Sequence, residues 1–167
     1  MINAASQPPA GRASYQPVDL AAPDPAAFVA KFERHWSAPS AEGMAALLTA
    51  DVVLVQPLSR TTHGLAQGQA AFANILRWVP DLRAHVDDWC ARDARLFIDF
   101  RLTGTFGGTH LVLPAVDRIT LRADYASERV SYFDPSPILR AVCTRPTAWF
   151  DAMRLGLLRG VLGSRVS

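Results

Sequence analysis

Three aspartates and an arginine in the second half of this chain stand at positions where proton chemistry is conceivable. In LFIDFRLTGTF, Asp99 and Arg101 lie two residues apart. Successive side chains of a strand alternate faces, so these two share one side with Phe97 and Thr103, while Leu96, Ile98, Phe100 and Leu102 hold the other. In LVLPAVDRITL, Asp117 is in phase with Leu113, Ala115, Ile119 and Leu121, an acid set in an apolar row. If that row lines a pocket, desolvation raises the pKa of the aspartate and suits it to proton transfer. Asp134 closes a third run, SYFDP.

The elements that must position these residues can be read from pattern. Asp24-Pro25 predicts a helix start, because the carboxylate can accept an orphan backbone N–H and the fixed φ of proline suits the first turn. Phe28, Phe32 and Trp36 come next as an aromatic stripe at helical spacing, either core or pocket lining. Ser40 predicts the cap of a second short helix with Met44, Leu47 and Leu48 inward. Val52 to Val55 reads as a short strand stopped by Gln56-Pro57. Phe72, Ile75, Leu76 and Val79 predict a third helix ended by Pro80. Leu82 to Trp89 and then the three long runs between Leu96 and Pro135 predict a sheet joined by short turns. Gly104, Gly107 and Gly108 mark a hairpin or bulge within it. Helices gathered on one face of a curved, mostly antiparallel sheet are the result, an α+β fold.

Composition limits the function. With 167 residues, half of them hydrophobic, the chain can bury a sizeable core as one domain. A net charge of +2 from 17 basic and 15 acidic residues, with no long charge run, does not predict a nucleic-acid partner. Cys90 and Cys143 lie far apart and read as reduced thiols of a cytoplasmic protein. His35, His63, His85 and His110 show no metal-ligand spacing, and no glycine-rich nucleotide loop occurs, so neither metal nor cofactor is expected. Residues 1–23, rich in Ala, Pro and Ser, read as a flexible arm without a signal-peptide core.

The order of elements, the phrase HWSAPSAEGMAALLTADVVLVQP, the later GTFGGT and the terminal SYFDP resemble the SnoaL-like group of the nuclear transport factor 2 superfamily. That cone-shaped fold also houses ketosteroid isomerase, limonene epoxide hydrolase and polyketide cyclases. The resemblance covers residues 24–137. It implies a deep apolar cavity between sheet and helices, a small terpenoid, steroid or polyketide-like molecule inside it, and a homodimer through the outer face of the sheet.

Residue by residue, the likeness to ketosteroid isomerase breaks at two places. Gln56 stands where that enzyme has its base, and an amide cannot take a proton at neutral pH. Phe32 replaces the tyrosine of its oxyanion hole, and only the second donor survives, as Asp117. Limonene epoxide hydrolase is a better match. Its water-activating aspartate ends a strand similar to Tyr132-Phe133-Asp134, its bridging arginine falls at Arg101, and Gln56 can supply its water-holding amide. Its acid would fall at Thr103, whereas this chain has Asp99, on the same face but on the other side of the arginine by about 7 Å at ~3.4 Å per residue.

The implied mechanism is cofactor-independent acid–base catalysis: epoxide hydrolysis, isomerisation or cyclisation. Asp134 is the base, Arg101 holds it ionised, and Asp117 or Asp99, protonated by burial, donates to the oxygen that gains charge. Gln56, Phe32, Trp36, Phe97 and Leu113 are the expected substrate contacts. Plainer roles exist for each acid: an exposed or interchain Asp99–Arg101 pair, an Asp117–Arg118 pair, and Asp134 as a turn residue. The rival function is a non-catalytic ligand-binding or dimerisation module, and the discriminator is whether any acid faces the cavity. Residues 138–167 read as a helical extension, with Trp149, Phe150, Met153, Leu157, Val161 and Leu162 on one stripe. It either packs over the cone, crosses to a partner subunit, or lies on a membrane surface, and packing on protein is the favoured use.

Overall fold

Asp24 does what its position predicts. In the computed structural model, which describes residues 23–106 and 108–144, its carboxylate accepts from the Ala27 N–H at 3.0 Å, opening helix α1 (Pro25–Ser37) with Pro25 in the first turn. Phe28, Val29, Phe32 and Trp36 form the buried stripe of this helix. Ser40 is a cap too, its Oγ accepting from the Gly43 N–H at 3.0 Å, but the element it opens is a single 3-10 turn, Gly43–Ala46. The expected helix is cut short because Leu48 already begins strand β1 (Leu48–Val55), four residues earlier than the apolar run suggested. Met44, Leu47 and Leu48 are nonetheless all buried.

Strand β2 (Thr62–His63) is a two-residue edge that sequence pattern did not predict. Helix α2 (Leu65–Trp78) ends one residue before Val79, as the adjoining Pro80 requires. Four strands complete the sheet: β3 (Arg83–Arg92), β4 (Arg95–Phe106), β5 (Thr109–Arg122) and β6 (Tyr125–Phe133). The order across the sheet is β2-β1-β6-β5-β4-β3. β1 runs parallel to β6, and the other neighbouring pairs are antiparallel. Helix α3 (Ser136–Thr144) succeeds the last strand. The N-terminal arm before Pro23 and the stripe from Trp149 to Leu162 lie outside the described residues.

Strand alternation divides the sheet into two unlike faces. On the inner face Leu96, Ile98 and Phe100 of β4 are fully buried and meet Ala115, Ile119 and Leu121 of β5 beneath α1. The aromatic stripe of α1 interlocks there, with Phe32 5.7 Å from Phe100 and Trp36 5.4 Å from Phe72 of α2, both edge-on. On the outer face Phe97, Val112, Val116 and Tyr132 remain exposed. Among the described residues no helix is long and apolar enough to cross a membrane, and no group of side chains could hold a metal ion.

Candidate functional site

The helices cover only part of the inner face. Between α2, the open end of the sheet and α3 lies a cavity of about 230 Å³, below the ~300–1,000 Å³ typical of sites for drug-sized ligands. Trp36, Phe72, Trp78, Phe100, Phe106 and Phe133 give it an aromatic wall. Gly104 lets the Val79–Leu82 loop close against the end of β4, since a Cβ there would stand 2.5 Å from Val79 Cγ1. The Thr105 N–H, donating to Asp81 at 2.9 Å, pins the same loop.

Among the described residues that line this cavity, Arg129 is the one with a charge. Its side chain is 12% exposed, and its Nε donates to Asp117 Oδ2 at 2.5 Å. Asp117 is 0% exposed. The guanidinium carbon also sits 5.6 Å from the Trp36 ring centroid and 5.9 Å from that of Phe32, within cation–π range. Asp117 and two aromatic faces therefore fix the orientation of Arg129. Because Asp117 engages Nε alone, the Nη donors are left for whatever fills the cavity. Gln56, Asn74 and Ser131 add neutral donors and acceptors to the same wall.

This pairing sets the electrostatics. A buried ion pair is tolerated when the charges compensate each other, and here they do, so this end of the cavity is polar without net charge. Asp117 Oδ1 is buried and has no hydrogen-bond partner, and across the β5–β6 register it faces Ser131. Behind Trp36, a second, water-sized cavity reaches His35 and Arg129. His35 is held below its ordinary pKa, first by burial and then by the positive charge of Arg129.

The remaining expected site residues stand elsewhere. Asp99, Arg101 and Phe97 point to the outer face. Arg101 makes a bidentate pair with Asp87 of β3, Nε to Oδ2 at 2.7 Å and Nη2 to Oδ1 at 2.6 Å. That hydrogen bond and charge raise the pKa of Arg101 and lower that of Asp87. Asp87 alternates onto the outer face with His85, the residue opposite Arg101, and the bulge between Val86 and Asp88 leaves it without a β4 residue of its own opposite. Asp134 is exposed and caps α3, accepting from the Ser136 N–H at 2.9 Å and its Oγ at 2.7 Å. Those bonds, with Arg140 nearby, depress its pKa, the opposite of what a general base needs. Arg101 and Asp134 thus do not converge on one water.

Asp117 is in the buried apolar row as expected, yet its partner is Arg129 rather than Arg118, which instead lies 3.7 Å from Glu128. Of the expected substrate contacts, Gln56, Trp36 and Leu113 line the cavity. Phe32 is 2% exposed within the core and touches only the small second cavity. No Asp, Glu, His, Cys, Lys or Tyr is among the described lining residues. What the arrangement can do is hold an apolar body and polarise one oxygen with the guanidinium.

Comparison with known proteins agrees with this architecture. A candidate SnoaL-like polyketide cyclase from Jannaschia sp. CCS1 superposes with a TM-score of 0.65 at 18% identity, covering 72% of this chain and 92% of that one. A protein of ketosteroid isomerase-like fold from Catenulispora acidiphila, solved with trimethylamine, gives 0.63 at 16% identity, covering 68% and 90%. IdmH, a candidate polyketide cyclase from Streptomyces antibioticus, gives 0.61 at 15% identity, covering 71% and 98%. Likeness at such identity carries the fold alone. Among the curated proteins none matches the chain. The sequence pattern of the SnoaL-like domain matches residues 29–128, and with the curved sheet, the helices over its inner face and the cavity between them, the chain belongs to the SnoaL-like family.

Proposed function

We propose that this protein binds a small, largely apolar molecule of one or two rings through a single neutral oxygen, a ketone, enol or phenol, that accepts from Arg129. The observation that carries this reading is the Arg129–Asp117 pair: a positioned guanidinium, compensated from behind, opening into an aromatic cavity. A full anion would leave uncompensated negative charge beside Asp117, whereas a neutral acceptor leaves none. The volume argues for a ligand smaller than a four-ring steroid. Any chemistry in the cavity is then electrophilic, stabilising an enolate-like oxygen by hydrogen bonds from Arg129, and a substrate that enolises or cyclises readily is the class it suits. The aspartate acid–base mechanism lacks a base here, since no carboxylate is among the described lining residues.

The test is ligand titration of the wild-type protein with β-tetralone and with tetralin, the same two rings without the oxygen, read by quenching of Trp36 and Trp78. A hydrogen bond to a charged donor is worth about 1.5–3 kcal/mol, so β-tetralone should bind roughly 10- to 100-fold more tightly. Arg129→Lys, which keeps the charge but loses the planar fork, should erase most of that difference. Equal binding of the two probes in the wild type overturns the reading. Proton exchange at the tetralone α-carbon in heavy water, followed by NMR, separates binding from acid–base catalysis. Protein-dependent exchange far above buffer would restore the catalytic base that the cavity wall lacks.

A further inference from the structure

One bend in the cavity wall is built from the wrong residue. Between β1 and β2 the chain turns at Pro57-Leu58, and Leu58 has φ 61°. A proline at the first central position of a turn is ordinary, but a left-handed residue after it calls for Gly or Asn. For a bulky L-residue the Cβ crowds the next carbonyl, so this conformation is disfavoured unless the surroundings impose it. Two other non-glycine residues, Asp93 and Ala123, share it, but they sit in the tight turns that join β3 to β4 and β5 to β6, away from the cavity. Leu58 lies on the cavity wall, half-buried, flanked by Gln56, Pro57 and Ser59, which line it too.

Strain retained at a position where glycine would remove it points to the side chain as the reason. Apart from Pro57, Val79 and Leu82, the other apolar lining comes from helices and strands whose backbone is fixed by regular hydrogen bonds. Leu58 is placed instead by a turn that could take another conformation with a different residue. Its isobutyl group occupies space beside the aromatic wall, and it does so from the loop that carries Gln56 and Ser59, two neutral hydrogen-bonding side chains of the same wall.

We propose that Leu58 is a specificity-determining residue, held in a left-handed turn so that its side chain caps the cavity and limits the ligand to about two rings. The proposal rests on the ligand reading above. Removing the side chain opens room for a third ring, and removing the Cβ as well relieves the backbone.

The experiment compares wild type, Leu58→Ala and Leu58→Gly in thermal melts without ligand, and in titrations with tetralin, β-tetralone and the three-ring ketone anthrone. Both variants lose the cap, so both should raise the affinity for anthrone relative to β-tetralone by about tenfold or more, the scale on which overpacking is released. Only glycine suits the backbone, so Leu58→Gly should melt about 2–4 °C above Leu58→Ala, the reverse of the usual order of these residues. An anthrone-to-tetralone ratio unchanged in both variants overturns the proposal. Leu58→Ala melting level with or above Leu58→Gly also overturns it, because the conformation would then carry no strain. Preference for β-tetralone over tetralin in the wild type, lost or kept, reports on the ligand reading separately. If that preference is absent, the ligand reading fails and the proposal falls with it, whatever the melts show.

Discussion

Removing the charge of Asp117 should be among the most damaging single substitutions in this protein, and removing its partner as well should repair most of the damage. Asp117 is 0% exposed and the Arg129 side chain 12% exposed, so neither charge can be rehydrated without opening the core. Breaking a buried pair by deleting one member costs about 3–5 kcal/mol, because the survivor is left uncompensated in a poor dielectric. For a chain of this size that corresponds to a fall of roughly 6–20 °C in melting temperature. Asp117→Asn keeps the shape and loses the charge, so its cost reports electrostatics rather than a cavity. The double variant Asp117→Leu/Arg129→Met replaces the pair by apolar groups of similar size, and should lie within about 1 kcal/mol of wild type. Urea unfolding monitored by tryptophan fluorescence compares wild type, Asp117→Asn and the double variant. The same double variant should bind β-tetralone no better than tetralin, which separates the part the pair plays in folding from its part in recognition. A cost below about 1 kcal/mol for Asp117→Asn, or a double variant as unstable as the single, would refute the argument that the charges compensate each other.

The geometry fixes three further outcomes. His35 has a folded-state pKa held below the ordinary 6.5, so the unfolded chain binds its proton first. Its contribution to stability is complete above pH 6.5 and is lost as the pH falls from there toward the folded value, by at most about 1.4 kcal/mol per pH unit. His35→Gln should flatten the dependence of urea midpoints on pH below about 6.5. Gly104→Ala places a Cβ 2.5 Å from Val79 Cγ1 and 3.4 Å from the Leu82 backbone. It should destabilise by about 1–3 kcal/mol through overpacking, measured by the same unfolding, and weaken β-tetralone binding because the displaced loop lines the cavity. Arg101→Met and Asp134→Asn should leave the affinity for β-tetralone within about twofold of wild type, since both side chains lie outside the cavity. A large loss in either variant would bring the hydrolase-like site back into consideration.

The fold was legible because its strongest signals are local. Asp24-Pro25 and Ser40 act at the positions where their chemistry predicts a cap, and the alternation of β4 separates Leu96, Ile98 and Phe100 from Phe97, Asp99 and Arg101 without error. The row containing Asp117 is as buried as its neighbours implied. β2 was not legible, because two residues of an edge strand carry no period. The true length of β1 was hidden for a different reason: Ala50 and Asp51 interrupt its apolar run, and Asp51 is exposed and paired with Arg122 across the sheet edge.

The functional site was harder to find because its polar residues are arranged as a solvent-facing row would be. Along β6, ASERVSYF offers Val130 and Tyr132 as the apolar set and Ser127, Arg129 and Ser131 as the polar one, and periodicity alone turns the second set outward. The structure inverts this. A bulge between Thr120 and Leu121 shifts the pairing of β5 with β6 and puts Arg129 opposite Ile119 and Ser131 opposite Asp117 on the inner face. Only pairing the two strands in register would have revealed it, and the lone buried acid in β5 was the available clue, since a fully buried carboxylate needs a partner from somewhere. The same physics accounts for the attraction of Arg101 and Asp134 as candidates. Arg101 sits mid-strand on a face whose cover sequence cannot reveal and Asp134 just past a strand end, and both turn out to be satisfied by near neighbours, Asp87 and Ser136. A buried, compensated charge pair with hydrogen-bonding capacity left over, rather than an exposed charge with a full set of partners, is what marks the working end of this cavity.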